Sequence, residues 1–309
     1  MAFAKVGAGV LLAGTFDHAF ADDWLAANLR GRSLLIATDI GGSHAGQLFE
    51  TYSFLVTDLD RNAEWLSAQG AFRMHMLRSS RRMAFKALND KVRRRVLRTF
   101  LQIGSQIHGW LITFAISKNG VSFFEPGPYD PEIVEKLRGW KRPVQERLLR
   151  VLHLSAFLIS GLSMPKQDIL WIIDQDEVAS NVEQLTQLTS LLGTVVSHSL
   201  THDLGHIRCA TANIDNGTRS IEDLLSYCDL AAGAISEATT TMAGGHRYLQ
   251  EHIVAPLPSE VSWKARTILS WLAATSGNLR QLTCLIELGC DSPAIRSQLL
   301  RWHAFRGAA

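Results

Sequence analysis

The sequence has few cysteines, and their spacing excludes two classes of protein. Four cysteines occur among 309 residues, with no C-x-x-C pair and no dense framework of the kind found in secreted disulfide-rich domains. We expect them to be reduced and buried; they are Cys209, Cys228, Cys284 and Cys290. No apolar run approaches the roughly 20 residues that a membrane-spanning helix needs, so no membrane partner is predicted.

Signals for secretion and for nucleotide binding are also weak. The first residues resemble a secretion signal only faintly, because Lys5 is the one Lys or Arg there and Asp17 precedes the potential cleavage point. We therefore expect a cytoplasmic protein. The glycine pairs and the run Gly7-Ala8-Gly9 lack the flanking residues of a phosphate-binding loop.

The composition that is present is typical of a globular protein. Hydrophobic residues make up 47% of the chain and charged residues 19%, with a net charge of only +2. The length allows one large domain or two. We expect a main domain over residues 1–258 and a helical tail over 259–309, whose helices offer a route to a homo-oligomer.

The order of predicted elements indicates an α/β fold. Five segments rich in apolar and β-branched residues are predicted strands: 33–40, 49–58, 109–118, 168–177 and 205–215. Helical sequence is predicted at 60–108, as a basic insertion, and at 132–161, 181–200 and 220–238.

Two of the predicted strands end in an aspartate. Asp39 follows the apolar segment 33–37, and Asp174 follows 169–173, with Asp176 just beyond it. Ligands of open α/β sheets bind at the carboxyl ends of strands, so we expect Asp39 and Asp174 to lie side by side if their strands are parallel neighbours. Taken alone, an aspartate before a glycine pair is more typical of a turn.

A third aspartate lies on the last predicted helix of the main domain. Asp229 borders the apolar stripe of that helix, on the same side as Glu222, and the small residues at 231–234 let its backbone approach the sheet closely. Converging carboxylates suit Mg²⁺ or Mn²⁺, and two such ions about 3.5–4 Å apart can promote phosphodiester cleavage. We expect Asp39, Asp174 and Asp229 to be catalytic metal ligands for two ions, with Glu222 and Asp176 as weaker candidates.

These motifs resemble a known family. "IATDIGG", "WIIDQD" and "EDLLSYCDLAAGAI" are similar to segments of the bacterial domain of unknown function 3800, a branch of the ribonuclease H-like superfamily. The resemblance covers residues 33 to about 237 and rests mainly on the order of the motifs. It implies a ribonuclease H-like five-stranded mixed sheet with helices on both faces, and a nuclease or related phosphoryl-transfer activity on nucleic acid.

The chain departs from that family at two places. Ile40 stands where relatives tend to have Glu, and "RMAFKALND" keeps Lys86 but has no Glu before it. Asp90, about one helical turn after Lys86, is a candidate for the missing carboxylate.

A basic segment precedes the third predicted strand. Ten of the 26 residues from Arg73 to Arg98 are Lys or Arg, against the single acid Asp90. Such a patch suits phosphate backbones, although a run of charge is more often a solvated helix face. The candidate contacts with DNA or RNA are Lys86, Arg78, Arg81, Arg82, Arg93, Arg94 and Arg95.

Two other functions stay open. A module of this fold could bind nucleic acid or protein without catalysis. Alternatively, His198, His202 and His206 are spaced four apart, and a His pair at i and i+4 can hold zinc from one helix face. The Glu of the H-E-x-x-H motif is absent, so a zinc-dependent hydrolase is the second alternative.

Overall fold

In the part of the chain that the structure describes, eight strands form one mixed sheet. The computed structural model describes residues 12–14, 16–17, 29–78, 81–118, 135–175, 177–215, 217–244, 254–274, 277–288 and 295–303. The strands are β1 Ser33–Gly41, β2 Phe49–Asp58, β3 Gly109–Ser117, β4 Asp168–Ile173, β5 Ile207–Thr211, β6 Val254–Pro256, β7 Leu279–Leu288 and β8 Ile295–His303. The helices are α1 Ala63–His75, α2 Lys91–Gly104, α3 Arg142–Leu162, α4 Val182–Ser199, α5 Ser220–Gly244 and α6 Trp263–Leu272.

The sheet has a hydrophobic core on each face, because its central strands are apolar on both sides. In β1, Leu34 and Ile36 join a core with residues of α3 and α4, while Leu35 and Ala37 join a second core with residues of α1, α2, α5 and α6. This alternation is the period of two expected of a strand. The result is a sheet covered by helices on both faces, as predicted for an α/β fold.

The sheet order places the predicted aspartate-bearing strands next to each other. The order is β5-β4-β1-β2-β3-β7-β8-β6. Strand β1 is antiparallel to β2 and parallel to β4, with Leu34 opposite Ile169 and Thr38 opposite Ile173. The carboxyl ends of β1 and β4 therefore meet at one edge of the sheet, which confirms that these strands are parallel neighbours.

Two parts of the predicted fold are wrong. The sheet has eight strands instead of five, and the predicted helical tail contains only one helix in its described residues, α6, followed by β7 and β8. Strand β7 pairs in parallel with β3 and is buried on both faces, with Leu282 and Ile286 in one core and Leu285 in the other. A short apolar run of this kind has no amphipathic period, so the sequence cannot distinguish a helix from a strand there.

Helix α6 lies within the fold of its own chain. Ala265, Ile268 and Leu269 are fully buried in the same core as α5 and α2. The expected homo-oligomer was to form through C-terminal helices. Among the described residues of this region α6 is the one helix, and its apolar side already packs in the core of its own chain.

None of the helices in the described ranges combines the length and the apolar character needed to cross a bilayer.

Candidate functional site

Asp39 and Asp174 project from the same face of the sheet. Thr38 accepts a hydrogen bond from Trp171 Nε1 at 2.8 Å on the α3 and α4 side, so the next residue, Asp39, lies on the α5 side. Ile172 packs on the α5 side, and Asp174, two residues later, follows it. Asp39 is buried and Asp174 partly exposed.

Helix α5 brings Asp229 to this edge because its small residues allow a close approach. A Cβ atom added at Gly41 would lie 3.0 Å from Ala232 Cβ and 2.8 Å from Thr51 Oγ1. Cys228 Sγ donates a hydrogen bond to Ala37 O at 3.3 Å, which holds the helix against β1. The predicted close contact between helix and sheet is therefore present, and it sets Asp229 beside the end of β1.

The guanidinium of Arg82 binds Asp174, and the charges of Asp229 and Asp39 also act on it. Arg82 Nη1 donates to Asp174 Oδ2 at 2.6 Å. Burial lowers the pKa of the Arg82 guanidinium, but the charges of Asp174, Asp229 and Asp39 outweigh that effect and raise it. All three predicted aspartates thus act on one cation that belongs to the chain itself.

Burial disfavours the charged form of Asp229. Burial raises the pKa of its carboxyl above the ordinary value. The Phe85 N–H, which donates to Asp229 Oδ2 at 2.6 Å, and the charge of Arg82 act in the opposite direction. The charge of Asp174 raises the pKa further, as expected for carboxylates that share a site.

The arrangement of donors does not fit a metal centre. The described residues contain no group of three or more His, Cys, Asp or Glu side chains placed to hold a metal ion. Asp174 is bound to Arg82, and Asp229 accepts the N–H of Phe85. A pair of divalent ions would have to displace the guanidinium from the carboxylates they need.

The weaker carboxylate candidates lie elsewhere. Glu222, two helical turns from Asp229, pairs with Arg219 and lies 3.7 Å from Arg73 Nη2. Asp90 caps α2, accepting from the N–H groups of Val92 and Arg93, each at 3.1 Å. Asp176 lies outside the described residues.

The basic segment divides into inward and outward groups. Arg82 turns to the aspartates, and Arg93 Nε donates to Arg82 O at 2.7 Å. Arg94 lies over the ring of Trp263, with its Cζ 4.5 Å from the ring centroid. The exposed members of the predicted set are Arg78, Arg81, Lys86, Arg94 and Arg95.

Helix α2 carries a basic face. Two of its residues, Lys91 and Arg98, are not among the contacts with nucleic acid predicted from the sequence. Val96, Leu97, Phe100 and Leu101 are buried, whereas Lys91, Arg94, Arg95 and Arg98 are exposed. The latter four have the i, i+3, i+4, i+7 spacing of one helix face, a signal that was available in the sequence. None of the four forms an ion pair with an acid of the described residues.

The histidines do not assemble a zinc site. Helix α4 ends at Ser199, so His202 and His206 lie beyond it, while His198 Nδ1 is 2.8 Å from Thr194 O. His202 Nε2 lies 3.1 Å from Ser163 Oγ, beside a cavity of about 670 Å³. The described residues contain no group of three metal-ligating side chains at these positions, so the geometry gives the zinc hydrolase no support.

No protein-family model matches the chain, and the comparison with curated proteins found no match. The ribonuclease H-like resemblance therefore stays a prediction.

Proposed function

We propose that this chain is a nucleic-acid-binding module whose first five strands form a ribonuclease H-like sheet. The strands β1 to β5 are contiguous in the sheet, β1 and β4 are parallel, and α5 packs across β1 and β2. That arrangement supports the resemblance, because it puts the strand-borne Asp39 and Asp174 and the helix-borne Asp229 together.

The observation that carries the binding proposal is the basic face of α2, formed by Lys91, Arg94, Arg95 and Arg98. Four exposed cations on one helix face, without acidic partners in the described residues, provide a charge of +4 on a protein whose net charge is +2. A cationic helix face of this kind attracts phosphate backbones irrespective of sequence.

The basic face and the aspartate cluster are connected through the first turn of α2. Asp90 caps the first turn of α2, and Arg93 in that turn holds the backbone of Arg82. We propose that a phosphate backbone bound along α2 extends past this first turn to the carboxyl ends of β1 and β4. There, the guanidinium of Arg82 reduces the repulsion between the aspartates and the phosphates.

Metal-dependent cleavage of nucleic acid is the second candidate. The convergence of Asp39, Asp174 and Asp229 around one cation favours it, because the same three carboxylates are the predicted ligands of Mg²⁺ or Mn²⁺. This activity requires Arg82 to leave the carboxylates.

A binding assay with a cleavage arm separates the two candidates. We expect fluorescently labelled DNA or RNA, single- or double-stranded, to bind the protein at low salt in EDTA and to stay intact when Mg²⁺ or Mn²⁺ replaces EDTA. If the protein binds none of the four forms (single- or double-stranded DNA or RNA), the proposal is contradicted. Cleavage that requires Mn²⁺ and is lost in both Asp39→Asn and Asp174→Asn would establish the second candidate instead, because an amide oxygen carries no full charge for a hard cation.

A further inference from the structure

The segment that carries Arg82 is held in place at several points. Arg73 Nη1 donates to Arg81 O at 2.8 Å, and Arg93 Nε donates to Arg82 O at 2.7 Å. Beyond Arg82, the Phe85 N–H binds Asp229. The backbone of this segment is therefore fixed to α1, α2 and α5 together.

Phe85 fits against α5 only because residue 233 is glycine. A Cβ atom added at Gly233 would lie 2.3 Å from Phe85 Cγ, far inside contact distance. Lys264 closes the other side of the ring, with Nζ 4.0 Å from the ring centroid, and it also donates to Phe85 O at 3.1 Å. The docking of Phe85 thus depends on shape as well as on hydrogen bonds.

The fixed segment holds the guanidinium of Arg82 against Asp174, where the charges of Asp229 and Asp39 also act on it. The Arg82 side chain is 24% exposed, and Asp174, its direct partner, is 27% exposed. The Nε atom of Arg82 is buried without a hydrogen-bond partner in the described part of the chain. Attraction to the carboxylates, more than a complete set of hydrogen bonds, therefore accounts for the position of the guanidinium.

We infer that Arg82 is the resident cation of this site and takes the structural role that a divalent ion would have among Asp39, Asp174 and Asp229. The donor arrangement, which suits a guanidinium and not a metal, carries this inference. The folded protein consequently does not depend on divalent metal, and the repulsion among the carboxylates is offset from within the chain.

Thermal melts of the protein without nucleic acid test the inference. Wild type should melt at the same temperature in EDTA and in millimolar Mg²⁺ or Mn²⁺, because an ion stabilises the fold only if it binds the folded state. In EDTA, Arg82→Gln should melt about 3–8 °C lower, because three carboxylates lose their counter-charge. Millimolar Mn²⁺ should restore part of that loss.

The control is Arg81→Gln, which removes the same charge one residue away. Arg81 is 42% exposed and lies 3.9 Å from Asp90, outside the aspartate cluster. It should melt close to wild type in every buffer, and Arg82→Lys, which keeps the charge, should lose less stability than Arg82→Gln.

Two results would overturn the inference. In the first, Mg²⁺ or Mn²⁺ raises the melting temperature of wild type by as much as it raises that of Arg82→Gln. In the second, the Arg82→Gln protein is as stable in EDTA as Arg81→Gln. If Arg82→Gln does not fold, Mn²⁺ titrated into wild type and followed by calorimetry decides the matter, since measurable binding at millimolar concentration contradicts a resident arginine. These results do not depend on nucleic-acid binding, which they leave untested.

Discussion

Two arginines of the basic segment, Arg82 and Arg73, act as counter-ions of aspartates, and Arg73 pairs with an aspartate that is fully buried. Asp223 is fully buried on α5, where Arg73 Nε donates to Asp223 Oδ2 at 2.8 Å and Gln69 Nε2 donates to the same atom at 2.7 Å. Burial raises the pKa of the Asp223 carboxyl, and the charge and hydrogen bonds of Arg73 lower it. Arg73 therefore opposes the effect of burial and favours the charged form of this carboxylate.

Removing Arg73 should destabilise the protein in a pH-dependent way. We expect Arg73→Gln to lower the free energy of unfolding by about 2–4 kcal/mol near pH 7, because it leaves a buried charge without its partner. Without Arg73, the pKa of Asp223 rises further above its unfolded value. The folded variant then takes up a proton at a higher pH than wild type, so its stability deficit should shrink as the pH falls through that pKa.

Urea denaturation at about pH 7.5 and about pH 5 measures this effect. Arg78→Gln serves as the control, since Arg78 is exposed and bonds only to Met74 O, at 3.0 Å, among the described residues. A deficit of Arg73→Gln that is equal at both pH values would show that Asp223 does not depend on Arg73 for its charge.

At the scale of elements, two helical glycines should respond in opposite ways to the same substitution. Gly233 on α5 lies under Phe85, whereas a Cβ atom at Gly193 on α4 would have no other atom within 4 Å. We expect Gly233→Ala to destabilise by about 1–3 kcal/mol, because the ring of Phe85 must move and the Arg82 segment with it. Gly193→Ala should stabilise by up to about 1 kcal/mol through helix propensity.

Thermal melts of both variants against wild type check this prediction. Equal stabilisation by both substitutions would mean that Phe85 is not docked against α5, and the fixed position of Arg82 would lose its basis.

The strands of the first part of the chain could be predicted because their signal is local. Strand β2 has the predicted bounds, and β1 differs by one residue, since both are apolar runs between turn residues. Strands β7 and β8 could not be predicted, because β7 pairs with β3, which lies far away in the sequence, and β8 pairs in turn with β7. The side-chain period alone does not reveal such pairing.

The candidate site was predictable to a similar extent. Asp39 and Asp174 follow from the rule that ligands bind at the carboxyl ends of strands, and Asp229 follows from the apolar stripe and small residues of its helix. The role of Arg82 does not, because 92 residues separate it from Asp174, and its position results from the contacts of Arg93 and Phe85. Tertiary packing, which no local pattern encodes, decided which cation the aspartates bind.

At the scale of the whole molecule, the distribution of charge matters more than its total. Thirty-one basic and 29 acidic residues nearly cancel, yet the exposed face of α2 carries four cations. Arg82 offsets part of the negative charge of Asp39, Asp174 and Asp229, so a phosphate backbone that extends from α2 to these aspartates meets less repulsion there. Binding of nucleic acid is therefore expected to depend strongly on salt.

The salt dependence of duplex DNA binding tests the central claim most directly. Each phosphate contact contributes a slope of about −0.9 to the plot of log affinity against log salt concentration. Replacing Arg95 and Arg98 of α2 by Gln should flatten the slope by up to about 1.8 units. The control replaces Arg32 and Arg208 by Gln; both are exposed and lie near the amino ends of β1 and β5. This control makes the same change of charge, and its slope should equal that of wild type. Equal slopes for wild type and both double variants would contradict a nucleic-acid interface on α2.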